Sequence, residues 1–123
     1  MKILVIDDNE GVRQLIQDAL VDAGLDTVGA ANAQEALELI VRCRDAITLV
    51  ITDVVLPGLS GSSLVRLLRN ELPWLPVILM SGYFDHPSLE LLRSDSYAIF
   101  IQKPFTTDDL VQHVREMLSL TCS

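Results

Sequence analysis

The stretch ITLVITDVVLPGLSG, residues 47–61, places a short apolar run directly before an acidic residue, Asp53. The run at residues 47–51 is too short and too continuous for an amphipathic helix. A continuous apolar run of this length is typical of a strand that is buried on both faces, as in a parallel sheet. The stretch therefore predicts a buried strand that ends next to a carboxylate.

Four similar runs surround this stretch and alternate with longer segments that have helical spacing. The runs are ILVI at 3–6, TVGA at 27–30, VILM at 77–80 and AIFI at 98–101, and TVGA, the weakest, is typical of an edge strand. The helical segments have their apolar positions at Val12, Leu15, Ile16, Ala19 and Leu20; Ala36, Leu37, Leu39, Ile40 and Cys43; Leu64, Val65, Leu67 and Leu68; Leu89, Leu91 and Leu92; and Leu110, Val111, Val114, Met117 and Leu118. This order, β-α five times, predicts an α/β fold: a five-stranded parallel sheet with helices on both faces.

Length and composition limit the remaining possibilities. The 123 residues, half of them apolar, predict a single domain over residues 1–123. The net charge of −8 disfavours binding to nucleic acid. No apolar run is long enough for a membrane helix, and no secretory signal opens the chain, so we expect a cytoplasmic protein with no membrane insertion. The two cysteines, Cys43 and Cys122, have no metal or redox spacing and are expected to be free thiols.

Polar residues follow four of the five runs. Asp7 and Asp8 follow the first, Asp53 the third, Ser81 the fourth and Lys103 the fifth. In open α/β sheets, ligands bind beyond the carboxyl ends of the strands, so these side chains should converge at one edge. Each residue alone could be an ordinary turn or surface residue, but their coincidence at one edge favours a site.

The residue types at this edge suit phosphoryl transfer. Three carboxylates repel one another unless a cation lies between them, and Mg²⁺ is held by one or two carboxylates while it keeps water and a phosphoryl oxygen. Aspartate is a nucleophile that forms acyl phosphates. Lys103 would supply a positive charge and Ser81 a hydroxyl donor for the oxygens of the transferred group.

Four segments in order carry a family resemblance: IDD at 6–8, TDVVLPGLSG at 52–61, ILMSGY at 78–83 and FIQKPF at 100–105. Together they resemble the receiver domain of two-component response regulators, including receivers that are fused to hybrid sensor kinases. The resemblance covers residue 2 to about residue 120. It implies a flavodoxin-like fold with strand order 2-1-3-4-5, and a phosphorylation-dependent switch. Beyond weak self-catalysed phosphotransfer and autodephosphorylation, it implies no enzyme activity.

The resemblance also implies a phosphorylation site and its magnesium ligands. Asp53 matches the aspartate that accepts the phosphoryl group from a histidine kinase or a histidine phosphotransfer protein. Asp8 matches the direct Mg²⁺ ligand, and Asp7 matches the acid that holds the metal through water. Asp53 itself and the backbone carbonyl of Val55 match the remaining protein ligands.

The same resemblance assigns the residues that respond to phosphorylation. Ser81 and Phe100 match the switch residues, and Lys103 matches the lysine that contacts phosphate. Pro104 matches the proline that often follows a cis peptide. Val55 and Tyr83 flank the approach of the hydrolytic water in the family pattern, and we expect their apolar or bulky side chains to hinder that water.

The resemblance implies an output surface formed by the fourth predicted helix, the fifth strand and the fifth predicted helix. Its exposed candidates are His86, Glu90, Tyr97, Gln102 and His113. Two features depart from the common family pattern: residues 94–96, SDS, stand in place of a turn of small residues, and Phe100 replaces a frequent tyrosine. The first departure, with Pro87, predicts a short and irregular fourth helix.

Two alternative functions remain open from the sequence. A pseudo-receiver would bind partners without phosphorylation, but the complete set of acids and Lys103 argues against it. A small-molecule phosphatase or phosphotransferase would also use an acidic cluster. Enzymes of the haloacid-dehalogenase type need a second acid two residues after the nucleophile, where this chain has Val55, and a cap domain for which there is no room.

Overall fold

The computed structural model describes residues 2–82, 90 and 93–121. The five strands form one parallel sheet in the order β2-β1-β3-β4-β5. They are β1 (Lys2–Ile6), β2 (Asp26–Ala30), β3 (Ile47–Asp53), β4 (Val77–Ser81) and β5 (Ala98–Gln102). The predicted fold class, strand order and edge position of the TVGA run are confirmed.

In the described part of the chain, Glu90, Arg93 and Ser94 are helical, and four longer helices connect or follow the strands. They are α1 (Glu10–Asp22), α2 (Ala33–Arg42), α3 (Gly61–Glu71) and α4 (Thr107–Thr121). The helix labelled α4 is therefore the fifth predicted helix. The apolar positions of the fourth predicted helix, Leu89, Leu91 and Leu92, lie outside the described residues, as do Tyr83, His86, Pro87 and Cys122.

The sheet is buried on both faces, as the continuous apolar runs predict. Alternate residues of β1 face opposite sides: Leu4 and Ile6 pack in the core beneath α2 and α3, whereas Ile3 and Val5 pack in the core beneath α1 and α4. All four side chains are at most 2% exposed. A shift of β1 by one residue would exchange its two faces and put each side chain into the core that is packed around the other set.

Polar caps start the helices just beyond the carboxyl edge of the sheet. The side chains of Asn9, Asn32 and Ser60 accept hydrogen bonds from backbone N–H groups in the first turns of α1, α2 and α3. The Thr106 hydroxyl accepts from the Asp109 N–H at the start of α4. These caps fix where each helix begins, so the residues that follow β1, β2, β3 and β5 lie between a strand end and a capped helix start.

None of the helices in the described residues combines the length and the hydropathy that a membrane span requires.

Candidate functional site

Asp53, the last residue of β3, lies at the centre of the carboxyl edge. Its Oδ2 accepts a hydrogen bond from Lys103 Nζ at 2.9 Å, and its Oδ1 accepts from the Val55 N–H at 3.1 Å. Lys103 follows β5, so its side chain reaches past β4 to make this ion pair. The structure thus brings two residues that are 50 positions apart in sequence into direct contact.

The β5 end that carries Lys103 is held firmly. The Lys103 N–H donates to the Ser81 carbonyl at 2.7 Å, and the Lys103–Pro104 peptide bond is cis. Ser81 ends β4 and is only 3% exposed. The backbone therefore joins the predicted switch hydroxyl to the predicted phosphate-contacting lysine.

Asp7, at the end of β1, is a buried acid with an incomplete set of partners. It is 2% exposed, and its Oδ1 accepts from the Asn9 N–H at 2.9 Å. Its Oδ2 is buried and has no hydrogen-bond partner among the residues that the structure describes. Burial raises the pKa of the Asp7 carboxyl, the Asn9 N–H opposes that shift, and the nearby charge of Asp53 adds to it. A buried oxygen without a partner is costly, so this atom is suited to a ligand or a bound water.

The carboxylates fit a magnesium ion that takes few ligands from protein side chains. Asp8 is exposed beside the buried Asp7, and Asp53 lies close enough to Asp7 to affect its pKa. Over residues 2–82, 90 and 93–121, no three His, Cys, Asp or Glu side chains form a ready metal cage. Mg²⁺ does not need such a cage, because it usually keeps several waters and binds one or two carboxylates. The unpartnered Oδ2 of Asp7 and the hard oxygen donors around it fit this ion.

The other predicted site residues lie on the same edge or beside it. Val55 follows Asp53 with a side chain that is 58% exposed. Phe100 is half-buried in β5 and packs against the core beneath α2 and α3. Pro104 follows Lys103 in the cis peptide described above. Tyr83 lies outside the described residues, so its position relative to Asp53 stays a prediction.

Sequence reasoning missed the role of Gly61 at the start of α3. A Cβ atom there would collide with the Asp53 carbonyl and would lie 2.9 Å from the Cα of Val54. The Gly61 N–H instead donates to the Val54 carbonyl at 2.7 Å. The absence of a side chain lets α3 start directly against the strand that carries Asp53. A glycine eight residues after the acid, at a capped helix start, was the available signal.

Comparisons with known proteins agree on one family. Residues 3–115 match the family model of the response regulator receiver domain. The chain is 35% identical, over 97% of its length, to the C4-dicarboxylate transport transcriptional regulatory protein DctD of Pseudomonas aeruginosa, and 34% identical, over 94%, to the sensor kinase CckA of Brucella abortus. It spans 25% and 12%, respectively, of those two proteins.

A solved structure gives the same result at the level of the fold. The receiver domain protein from Clostridium thermocellum superposes with a TM-score of 0.90 at 28% identity, covering 98% of this chain and 95% of that one. The fold and the family model therefore agree over nearly all of the chain.

Proposed function

The chain belongs to the response regulator receiver family of two-component signalling, and we propose that it is a phosphorylation-dependent switch whose phosphoacceptor is Asp53. The observation that carries this proposal is the Asp53–Lys103 ion pair of 2.9 Å near the buried Oδ2 of Asp7, which has no partner in the part of the chain that the structure describes. The phosphoryl donor would be a sensor histidine kinase or a histidine phosphotransfer protein. The similarity to a sensor kinase supports a donor of this class.

In the proposed transfer, an Asp53 carboxylate oxygen attacks the phosphorus of a phosphohistidine. An O–P bond forms and the N–P bond breaks, so the imidazole leaves and Asp53 becomes an acyl phosphate. Lys103 Nζ, which now contacts Asp53 Oδ2, would contact the phosphoryl oxygens instead. Ser81 would supply a hydroxyl donor to another of these oxygens. Most of the catalysis in such a transfer comes from position and charge rather than from acid–base chemistry.

We propose that Mg²⁺ is the cofactor of this step. Its ligands would be the Asp8 and Asp53 carboxylates and the Val55 carbonyl, with Asp7 acting through a water. When bound, the ion would supply positive charge opposite the phosphoryl oxygens. The buried Asp7 Oδ2 supports this set, because a metal-bound water would give that atom its missing hydrogen bond.

The proposed output is a change at one surface of the protein, which is formed by the fourth predicted helix, β5 and α4. Ser81 and Phe100 would link the phosphate to that face. Tyr97 and Gln102 on this side are exposed and His113 is partly exposed, while His86 lies outside the described residues. Glu90 is also exposed. We expect an output protein to bind this face rather than DNA or a membrane, given the net charge of −8.

Residues 1–123 are proposed to form one receiver domain without enzyme activity on other substrates. The family match covers residues 3–115, and the two cores lie on opposite faces of one sheet. Both observations support a single domain. A cytoplasmic location is part of the same proposal, because a histidine kinase draws its phosphoryl group from intracellular ATP.

The test is phosphorylation by acetyl phosphate and Mg²⁺, followed by intact-mass measurement. We expect one phosphoryl adduct on the wild type and none on Asp53→Asn, with Asp45→Asn as the control at an exposed acid before β3. An adduct of equal yield on Asp53→Asn would exclude Asp53 as the phosphoacceptor. Complete resistance of the wild type to a donor kinase and to acetyl phosphate would favour a pseudo-receiver. Hydrogen exchange of the phosphorylated sample tests the output face, since changes confined to the surroundings of Asp53 would contradict it.

A further inference from the structure

Arg13, on the first turn of α1, folds back toward the acidic edge. Its Nη1 donates a hydrogen bond of 2.6 Å to the backbone carbonyl of Asp7. This carbonyl belongs to the peptide group that joins Asp7 to Asp8. The hydrogen bond therefore acts on the link between the two acids rather than on either carboxylate.

The rest of this short loop is fixed by other hydrogen bonds. The Asp7 N–H donates to the Ala30 carbonyl at 3.1 Å, and the Asp7 Oδ1 accepts from the Asn9 N–H. Asn9 in turn caps α1 by accepting from the Val12 N–H at 3.0 Å. Within the described residues, the Asp7 carbonyl accepts its hydrogen bond from Arg13, so the backbone N–H, the carbonyl and the Oδ1 of Asp7 each have a partner. Asp8 is exposed between these fixed points, so the orientation of its preceding peptide sets the direction in which its side chain leaves the backbone.

The path of the Arg13 side chain depends on the neighbouring edge strand. A Cβ atom on Gly29 of β2 would lie 3.2 Å from Arg13 Cδ and 2.7 Å from Gln17 Oε1. Gln17 is itself held by a hydrogen bond from its Nε2 to Thr27 Oγ1 at 3.1 Å. Glycine at position 29 thus leaves room for the aliphatic part of Arg13 to pass between α1 and the end of β2.

We propose that Arg13 is a positioning residue for the magnesium site. By holding the Asp7 carbonyl, it fixes the Asp7–Asp8 peptide and so directs the Asp8 carboxylate toward the metal. This inference rests on the proposed function, because it assumes that Asp8 is a magnesium ligand. Partners that orient metal ligands in this way commonly change metal affinity by about 10- to 100-fold.

The sign of the effect separates this role from simple electrostatics. A guanidinium near a cation site repels the cation, so removal of the charge alone would tighten Mg²⁺ binding. Loss of a positioning hydrogen bond would weaken it. Arg13→Met removes both the charge and the donor while it keeps the aliphatic bulk, so the direction of its effect decides between the two roles.

The experiment measures the Mg²⁺ dissociation constant by calorimetry on the full chain. We expect Arg13→Met to weaken binding by about 10-fold. Arg13→Lys, which keeps a charged donor, should recover most of the affinity. The matched control is Arg115→Met, because Arg115 also donates to a backbone carbonyl, that of Ala23, but lies away from the acids. Its magnesium affinity should equal that of the wild type.

Two further measurements show whether Arg13 acts through Asp8. In an Asp8→Asn background, Arg13→Met should have a much smaller effect on Mg²⁺ affinity than it has in the wild type. The amide resonance of Asp8, which shares its peptide group with the Asp7 carbonyl, should shift in Arg13→Met without Mg²⁺. If Arg13→Met does not fold, Gly29→Ala tests the same contact, because the added methyl group would crowd the Arg13 side chain. This variant should also weaken Mg²⁺ binding. Thermal unfolding without Mg²⁺ checks the fold of each variant.

Unchanged or tighter Mg²⁺ binding in folded Arg13→Met would overturn the positioning role while leaving the proposed function intact. An equal loss in the Arg115→Met control would also overturn it. If the wild type binds no Mg²⁺ and accepts no phosphoryl group, the proposed function fails, and this inference fails with it.

Discussion

Two pairs of one acid and one base lie at opposite edges of the sheet and differ in how completely they are bonded. Before β5, the Asp95 carboxylate accepts hydrogen bonds from Arg69 Nε at 2.6 Å and from Arg69 Nη2 at 3.2 Å. It also accepts one from the Tyr97 N–H. The remaining Arg69 nitrogen donates to the carbonyls of Leu72 and Leu75. At the carboxyl edge, within the described residues, Asp53 accepts a single charged hydrogen bond, from the Lys103 ammonium group, and one from the Val55 N–H.

The difference teaches which pair stabilises and which can react. The guanidinium of Arg69 forms a planar fork with fixed geometry, whereas an ammonium group is a compact charge on a flexible stem. The Arg69–Asp95 pair, with side chains 16% and 10% exposed, ties α3 to the turn before β5. The Asp53–Lys103 pair lies near Asp7, whose Oδ2 has no partner among the described residues, so that edge keeps bonding capacity for the proposed metal and phosphoryl group.

The largest expected effect is on the free energy of unfolding, through the Arg69–Asp95 pair. Arg69→Met leaves a buried carboxylate without its cation, and such a loss costs about 3 kcal/mol in the free energy of unfolding. Arg44→Met, which breaks the exposed pair with Glu71, should cost under about 1 kcal/mol. Urea denaturation gives both values. Equal costs for the two variants would mean that the Arg69 network contributes no more than a surface ion pair. Folded Arg69→Met should still accept phosphate on Asp53.

The next effect is on the Mg²⁺ affinity of the site at the carboxyl edge of the sheet. Asp8→Asn should lose about 100-fold in Mg²⁺ affinity and Asp7→Asn about 10-fold, because the first is a proposed direct ligand and the second acts through water. Calorimetry on both variants makes the comparison, with Asp45→Asn as the control at an exposed acid before β3. A larger loss for Asp7→Asn would reverse the assignment of the two acids.

A smaller effect follows from the raised pKa of Asp7. The folded chain holds the Asp7 proton more tightly than the unfolded chain does, so wild-type stability falls as pH rises through the folded pKa, above the ordinary value of 3.8. Without Mg²⁺ at pH 7, Asp7→Asn should therefore be more stable than the wild type, because the amide has no charge to lose its hydration on folding.

The pH dependence and the metal dependence check this expectation. The stability gain of Asp7→Asn should disappear below pH 3.8, where Asp7 is protonated in both states. Saturating Mg²⁺ should stabilise the wild type and reduce the difference, because it binds the folded state alone. A variant that is less stable than the wild type at pH 7 would show that the Asp7 charge is already compensated.

The smallest expected effect is on the lifetime of the phosphorylated form. The Val55 side chain is 58% exposed beside Asp53, so it can limit the approach of water without holding that water. Val55→Asn combined with Tyr83→Glu should shorten the lifetime by about threefold, or ~0.7 kcal/mol of barrier. Decay of the adduct in excess Mg²⁺ after removal of the donor gives the rate. Unchanged or slower decay in the folded double variant would show that these two side chains do not hinder the hydrolytic water.

The sequence by itself determined the sheet and the edge at which the site lies. Short continuous apolar runs that alternate with helical segments predict the strands of a covered parallel sheet, and parallel strands bring their carboxyl ends to one edge. Asp7, Asp53, Ser81 and Lys103 could therefore be placed at that edge from their positions after the runs. Strand order came from the family resemblance, because the alternation of elements alone leaves several topologies open.

Only the tertiary structure decided which polar atoms meet. Lys103 contacts Asp53 across 50 residues and Arg69 contacts Asp95 across 26, and no local pattern encodes such distances. The sequence marked residues 94–96 as unusual, but only the fold showed that Asp95 receives the guanidinium of Arg69. The contact of Arg13 with the Asp7 carbonyl is similar: hydrogen bonds form where packing brings donors to acceptors, and packing depends on the whole chain.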